Sequence, residues 1–471
     1  MMVGGHIVLV PFPAQGHITP MLKLAFLLHH KGFQITFVHT DYNYKRLLKS
    51  KGPHALDGLP TFNFRAVPDG TADADDDSTQ SILSLIQIST NCMDPIRDLV
   101  KDLNLSSPVT CMIFDATMSS GLQVAQEIGV PGVSVRTASA CSFMCYKHVQ
   151  NLVQQGIIPL KDESDLTNGY LDMPIEIPGV INIRLRDITV MIRTTNPDDP
   201  VLNFVISELN KVTKASAIIV NTFDALEHTV LKALSPICPP IYPIGPLHLL
   251  VDQIEPESAK SIGSSLWKEE TECLQWLNSK EDNSVIYVNF GSVIMLSPKQ
   301  LQELAWGLAN SGKNFLWIIR PDMMVGNSAI LSSEYSEETR ERGLIAKWCP
   351  QEKVLNHPSI GGFLTHCGWN SMMESLCCGV PLLCSPHFAD QHINCRYACD
   401  EWGIGMEIDQ MKRDEVENLV RELLDGEKGE EMRRKSVAWK KLAEDAIGKD
   451  GSSYLNLDKF IEDVILSNRK S

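Results

Sequence analysis

The stretch from Trp348 to Gln391 reads WCPQEKVLNHPSIGGFLTHCGWNSMMESLCCGVPLLCSPHFADQ, and its middle describes a strand, a tight turn and a helix. Ile360 to Thr365 is a short apolar run of strand length, and His366 to Asn370 forms the turn. The pattern predicts a helix starting near Ser371 and stopped by Gly379 and Pro381. Ser371 and Glu374 also stand at the spacing of a capping box, in which each side chain satisfies a backbone N–H at the helix start.

A strand that turns sharply into a helix offers an anion a place to sit, because the first helical turn presents N–H groups and a partial positive charge. Gly368 lets backbone approach a ligand closely, Asn370 and Ser371 add donors, and His366 stands at the strand end. Trp348 offers a flat face to a base, while Gln351 and Glu374 suit ribose hydroxyls. Asp390 and Gln391 suit the hydroxyls of a sugar. One segment thus holds candidates for base, ribose, diphosphate and hexose.

Working outward, the N-terminal end begins with a buried-strand pattern, His6 to Pro13, followed by the loop Ala14 to Ile18. Thr19 and Pro20 fit the cap and first position of a helix reaching about Lys31, and Phe33 to His39 is the next strand. This unit opens a doubly wound sheet, in which ligands sit at the carboxyl ends of strands. Val109 to Phe114 and Gly132 to Val135 repeat the strand pattern, so His17, Asp115 and Thr137 fall on one sheet edge. The segments 81–91 and 142–146 read as pocket walls, and strands at 217–221 and 241–244 close the first domain near Gly245. Residues 246–270 lose any clear period and read as a linker. A second α/β unit follows, with strands at 285–290, 315–320 and 343–346 and a helix at 298–310. Helices at 439–447 and over GSSYLNLDKFIEDVIL end the chain.

The Trp348–Gln391 stretch resembles the C-terminal signature box of plant family-1 UDP-glycosyltransferases, and the likeness runs from HIVLVPFPAQGHITP to GSSYLNLDKF. Within that family the chain is most similar to the branch acting on terpenoids, iridoids and cyanohydrins. The resemblance implies a GT-B fold of two facing doubly wound Rossmann-like domains. Residues 1–245 would bind the acceptor and 271–450 the UDP-sugar, with 451–471 a helix returning to the first domain. It implies inverting transfer of glucose from UDP-glucose to a hydroxyl of a small lipophilic acceptor, with no cofactor and no metal. His17 would be the general base and Asp115 its partner. Gly16, Thr137, Ser292, Trp348, Cys349, Gln351, His366, Gly368, Trp369, Asn370, Ser371, Glu374, Asp390 and Gln391 would bind the donor. Phe12, Phe143, Tyr146, Met191 and Phe388 would line the acceptor pocket. Gln at the end of the box goes with glucose in the family, and His with galactose. Arg136 stands where many members have Trp, and His387-Phe388-Ala389 departs from the usual wording after the proline; both bear on donor and acceptor choice.

Composition narrows the alternatives. A chain of 471 residues favours two domains, and 44% hydrophobic with 21% charged residues is usual for a soluble globular protein. A net charge of −16 opposes nucleic-acid binding. The run Asp73, Asp75, Asp76, Asp77 reads as a solvated loop. Thirteen cysteines without a C-x-x-C pair indicate reduced thiols in the cytoplasm, with Cys141/Cys145 and Cys395/Cys399 as packing neighbours on helices. His387 and His392 lack a third ligand for zinc. No signal peptide or membrane span is legible, and a monomer is the default expectation. A non-catalytic nucleotide-sugar-binding protein is the rival reading, as are a flavonoid or phenolic acceptor and another UDP-sugar. A dehydrogenase is disfavoured because no G-x-G-x-x-G follows the first strand.

Overall fold

The structure, a computed structural model, describes residues 4–70, 81–254, 265–320 and 332–467. The acidic run at 73–77 and residues 255–264 of the expected linker lie outside the described residues. The described residues form two compact units, one built from 4–70, 81–254, 265–267 and 444–467, the other from 268–320 and 332–443.

The first unit is built on strands β1 (His6–Val10), β2 (Gln34–Thr40), β3 (Phe62–Val67), β4 (Val109–Asp115) and β5 (Gly132–Arg136). A small antiparallel pair follows, β6 (Pro174–Ile177) and β7 (Val180–Arg184), then β8 (Ala217–Val220) and β9 (Ile241–Pro243). The main sheet is seven-stranded and parallel, in the order β3-β2-β1-β4-β5-β8-β9. Parallel strands covered on both faces need apolar residues throughout, and every residue of β1, β5 and β8 is buried. The strand order reverses between β1 and β4, and such a switch point opens a crevice at the carboxyl ends of the strands.

The second unit repeats the plan with β10 (Val285–Asn289), β11 (Asn314–Ile318), β12 (Gly343–Ala346), β13 (Ile360–Thr365), β14 (Leu382–Cys384) and β15 (Gly405–Glu407). The order is β12-β11-β10-β13-β14-β15, all parallel, with the switch point between β10 and β13. Each unit is thus a doubly wound Rossmann-like domain, as a GT-B fold requires.

The first unit extends beyond Gly245. Leu247–Asp252, inside the expected linker, is a helix whose Leu247 and Leu250 join the first hydrophobic core. Leu249 and Val251 of the same turn pack against that core as well. The returning helix Ser452–Phe460 and the π turn Ile461–Leu466 also belong to this unit. Leu457, Phe460 and Ile465 enter its core, and burying side chains of that size contributes roughly 1.5–3 kcal/mol each. Asn456 Nδ2 donates to the Pro243 carbonyl at 3.1 Å, and the Tyr242 hydroxyl donates to Asp463 at 3.2 Å. Among the described residues no helix is long and apolar enough to cross a membrane.

Candidate active site

β1 and β4 are adjacent, with Val10 opposite Phe114, so the residues that leave their carboxyl ends meet at the switch point. After β1 the chain turns tightly, the Ala14 N–H donating to the Phe12 carbonyl at 2.8 Å, and the helix Gln15–His30 begins. That start precedes the expected cap at Thr19. The Thr19 hydroxyl accepts from Gln15 Nε2 at 2.8 Å rather than capping, and Gln15 Oε1 accepts from the Leu266 N–H at 2.7 Å. A bond within the helix, Gln15 to Thr19, and a tertiary one, Leu266 to Gln15, accompany this upstream start, which leaves Pro20 inside the helix and His17 in its first turn rather than in a loop.

His17 Nδ1 lies 2.7 Å from Asp115 Oδ2 and 3.0 Å from the Thr137 hydroxyl. The other Asp115 oxygen, Oδ1, accepts from the Thr117 N–H at 2.9 Å and its hydroxyl at 2.5 Å, capping the short helical turn Ala116–Met118. Asp115 is thus both a cap and the partner of a histidine. Burial pushes its carboxyl up, but the charge and hydrogen bond of His17 and the bonds from Thr117 outweigh that and hold it below the usual carboxylate range. The His17 side chain keeps 29% of its surface exposed whereas that of Asp115 keeps 1%. A carboxylate fixed on Nδ1 leaves Nε2 as the ring nitrogen that can face a substrate.

Phe12 joins this group, its ring centroid 5.1 Å from that of His17. Phe143 and Tyr146, in the helix Ala140–Gln154, are buried beneath the Arg136 guanidinium, which lies 5.2 Å and 5.8 Å from their rings. Met191 is half-buried in the turn Val190–Ile192. Phe388 packs on the core of the second unit. Gly16 is the helical neighbour of His17.

In the second unit the helix after β13 runs Trp369–Cys378 and starts without any side-chain cap. The expected capping box is not formed. The helix begins before Ser371, and Ser371 and Glu374 instead receive both N–H groups of the Gln351 amide, at 3.0 Å and 2.7 Å. Gln351 Oε1 accepts from Asn289 Nδ2 at 2.8 Å and the Tyr287 hydroxyl at 3.0 Å. All four hydrogen-bonding positions of that amide are therefore used inside the protein. Gln351 thereby holds one Glu374 oxygen in place.

The His366 ring is held between two glycines. A Cβ at Gly291 would stand 2.6 Å from the ring, and one at Gly368 would stand 2.4 Å from Nε2. Gly291 also has φ +69°, a left-handed conformation that disfavours side chains. Burial, then the neighbouring His387 and Arg320, push the His366 pKa down to about 3, against a raising backbone bond at Asn289. At neutral pH His366 is an uncharged imidazole. Ser292 follows Gly291 in the same turn, which Arg320 braces by donating to the Gly291 and Ile294 carbonyls.

Asp390 accepts from Asn394 Nδ2 at 2.8 Å, and the same amide donates to the Cys367 carbonyl at 3.0 Å, tying Asp390 to the turn after β13. Gln391 Oε1 accepts from the N–H groups of His387 and Phe388, at 2.9 Å and 2.8 Å. Trp348 is half-buried, and Asn370 lies in the first turn of the uncapped helix. Trp369 and Cys349 are buried, Trp369 near Trp402 and Cys349 Sγ 3.3 Å from the Tyr287 hydroxyl.

A family model described as UDP-glucoronosyl and UDP-glucosyl transferase matches residues 77–441. The chain belongs to that family. It is similar to 7-deoxyloganetin glucosyltransferase of Gardenia jasminoides, at 55% identity over 98% of each chain. It is also similar to (R)-mandelonitrile beta-glucosyltransferase of Prunus dulcis, at 53% identity over 98% of each. Among solved structures it resembles Phytolacca americana UGT2 complexed with UDP-2-fluoro-glucose and pterostilbene, with a TM-score of 0.80 and 27% identity, covering 97% of this chain and 99% of the other. The protein is a plant-type UDP-glycosyltransferase, an enzyme that transfers glycosyl groups.

Four residues around this glycosyltransferase's candidate sites went unnoticed in the sequence. Asn289 and Arg320 arrange the turn beside His366, and Asn394 links Asp390 to it. Glu227, fully buried, accepts from the Ala140 and Cys141 N–H groups and so anchors the start of the Ala140–Gln154 helix. A charged residue closing the apolar run FLWIIR was the available signal for Arg320.

Proposed function

We propose that this enzyme transfers glucose from UDP-glucose to a hydroxyl of a small lipophilic acceptor of the terpenoid, iridoid or cyanohydrin kind. The observation that carries the reading is the His17–Asp115 pair, 2.7 Å apart at a sheet switch point with Nε2 left for a substrate. The acceptor oxygen attacks the anomeric carbon while the bond from that carbon to the diphosphate breaks, and the configuration inverts. His17 Nε2 takes the hydroxyl proton, and the Asp115 carboxylate stabilises the imidazolium that forms.

The second unit meets the leaving group. The uncapped start of the Trp369–Cys378 helix offsets the charge that develops on UDP, and the neutral His366, its N–H bonded to the Asn289 backbone, shapes the turn beside it. Trp348 stacks on the base and Glu374 binds the ribose. Asp390 and Gln391 bind the hexose, with Gln391 favouring glucose. The reading assigns no cofactor beyond the donor substrate. Acceptor class is supported by the two similar plant glucosyltransferases, one named for an iridoid and one for a cyanohydrin. Thirteen cysteines with no C-x-x-C pair among them support a reducing compartment, the cytoplasm.

Incubating the purified chain with radiolabelled UDP-glucose and a panel of iridoid, monoterpenol, cyanohydrin and flavonoid aglycones tests this. Labelled β-glucosides of the first three classes are expected. UDP-glucose binding without transfer, or turnover confined to flavonoids, would refute it.

A further inference from the structure

Cys367, Cys384 and Cys395 are buried in the second unit with their sulfur atoms all within 4.8 Å of one another. They come from three separate elements: the turn after β13, the last residue of β14 and the helix Gln391–Arg396. Cys399 joins them from the π turn that follows. A Cβ at Gly405 would meet Cys384 Sγ at 3.1 Å and Cys399 Sγ at 3.2 Å, which puts both sulfurs on one side of that glycine. Cys367 Sγ also donates to the Thr365 carbonyl at 3.7 Å. Local helical spacing explains only the neighbours Cys395 and Cys399; the convergence of Cys367 and Cys384 on them is a product of the fold.

Three converging thiols are the donor set of a soft centre. What such a site holds is decided by charge. A divalent ion with three thiolates leaves a net negative charge in an apolar surrounding, and burying an unpaired charge is costly. The charged neighbour of Cys399 is the Glu407 carboxylate, which adds to that cost. A trivalent centre leaves none. We propose that Cys367, Cys384 and Cys395 form a binding site for a trivalent thiol-seeking metalloid, for which arsenite is the probe. Arsenous acid condenses with three thiols: three As–O bonds break, three As–S bonds form, and each thiol proton leaves with a hydroxide as water. Nothing is oxidised or reduced, and the buried product is uncharged.

Burial pushes the Cys367 thiol well above its ordinary pKa, and the thiols are therefore protonated at neutral pH, the form this condensation consumes. The competing site is the neighbouring pair Cys273 and Cys349, which offers only two sulfurs.

The test is arsenite uptake by the full chain, followed by native mass spectrometry and arsenic X-ray absorption. One arsenic bound through three sulfurs is expected, with affinity falling at least tenfold in Cys384→Ser and Cys395→Ala and unchanged in Cys273→Ser. No uptake, coordination by two sulfurs, or binding lost in Cys273→Ser but kept in Cys384→Ser would overturn the proposal. The absorption spectrum of the unmodified protein decides the matter even if a variant fails to fold. The readout is arsenic coordination, so it stands apart from the donor and acceptor assignments.

Discussion

Nδ1 of His17 is shared between Asp115 Oδ2 at 2.7 Å and the Thr137 hydroxyl at 3.0 Å, and the three residues leave the carboxyl ends of β1, β4 and β5. Three neighbouring strands thus fix one imidazole. Asp115→Asn keeps the shape but loses the charge that stabilises the imidazolium, so kcat should fall about 10- to 1,000-fold with UDP affinity unchanged. Steady-state kinetics beside UDP calorimetry check this. Thr137→Val separates two roles: a severalfold fall in kcat alone marks a partner of His17, whereas a raised KM for UDP-glucose marks a sugar contact.

The buried Asp115 carboxyl makes a pH prediction. Its folded pKa is below its unfolded value, so it contributes stability that is complete above the unfolded pKa, about 3.9, and is lost as pH falls through the folded one. His17→Ala removes the charge and one bond that hold it down while burial stays. The variant should therefore melt below wild type at pH 5–7, and the gap should close as the pH is lowered toward 3. A gap independent of pH would contradict the coupling.

Donor binding can be tested residue by residue. Trp348→Ala and Glu374→Ala should each weaken UDP binding about 10- to 100-fold, as expected for a lost stack or lost charge-assisted hydrogen bonds. Gln351→Ala should do so indirectly, because its amide holds Glu374 at 2.7 Å. Calorimetry measures the affinities, and melting temperatures confirm folding.

His366 should act as a neutral ring that shapes the turn beside the donor site. His366→Ala is expected to weaken UDP binding about tenfold, by roughly the same factor at pH 5 and pH 8, because its pKa of about 3 lies below that range. Gly291→Ala should reproduce the loss, since the added Cβ would stand 2.6 Å from the ring and the backbone there is left-handed.

How much of this could be read in the sequence differs from residue to residue. Strand-end positions were legible, because the β periodicity of 109–114 and 132–135 fixes where Asp115 and Thr137 emerge, and β13 and β12 match their expected bounds. Helix starts were not. Thr19-Pro20 and Ser371/Glu374 carry good local signals, but Gln15, one turn upstream in the same helix, engages the Thr19 hydroxyl, and Gln351 from another helix takes Ser371 and Glu374 for tertiary bonds. Partners such as Glu227, 87 residues from Ala140, leave no local trace at all. Nor does the convergence of Cys367 and Cys384 on Cys395.

The central claim is that His17 removes the acceptor proton, and the measurement that tests it most directly is kcat of His17→Ala with two acceptors. An aliphatic alcohol keeps its proton at neutral pH and needs a base; a phenol with an acidic hydroxyl ionises unaided. Positioned general bases contribute roughly two to four decades in rate. The variant should lose about that much with the aliphatic acceptor, much less with the acidic phenol, and still bind UDP normally. Near wild-type glucosylation of the aliphatic alcohol by a folded His17→Ala enzyme would contradict the account.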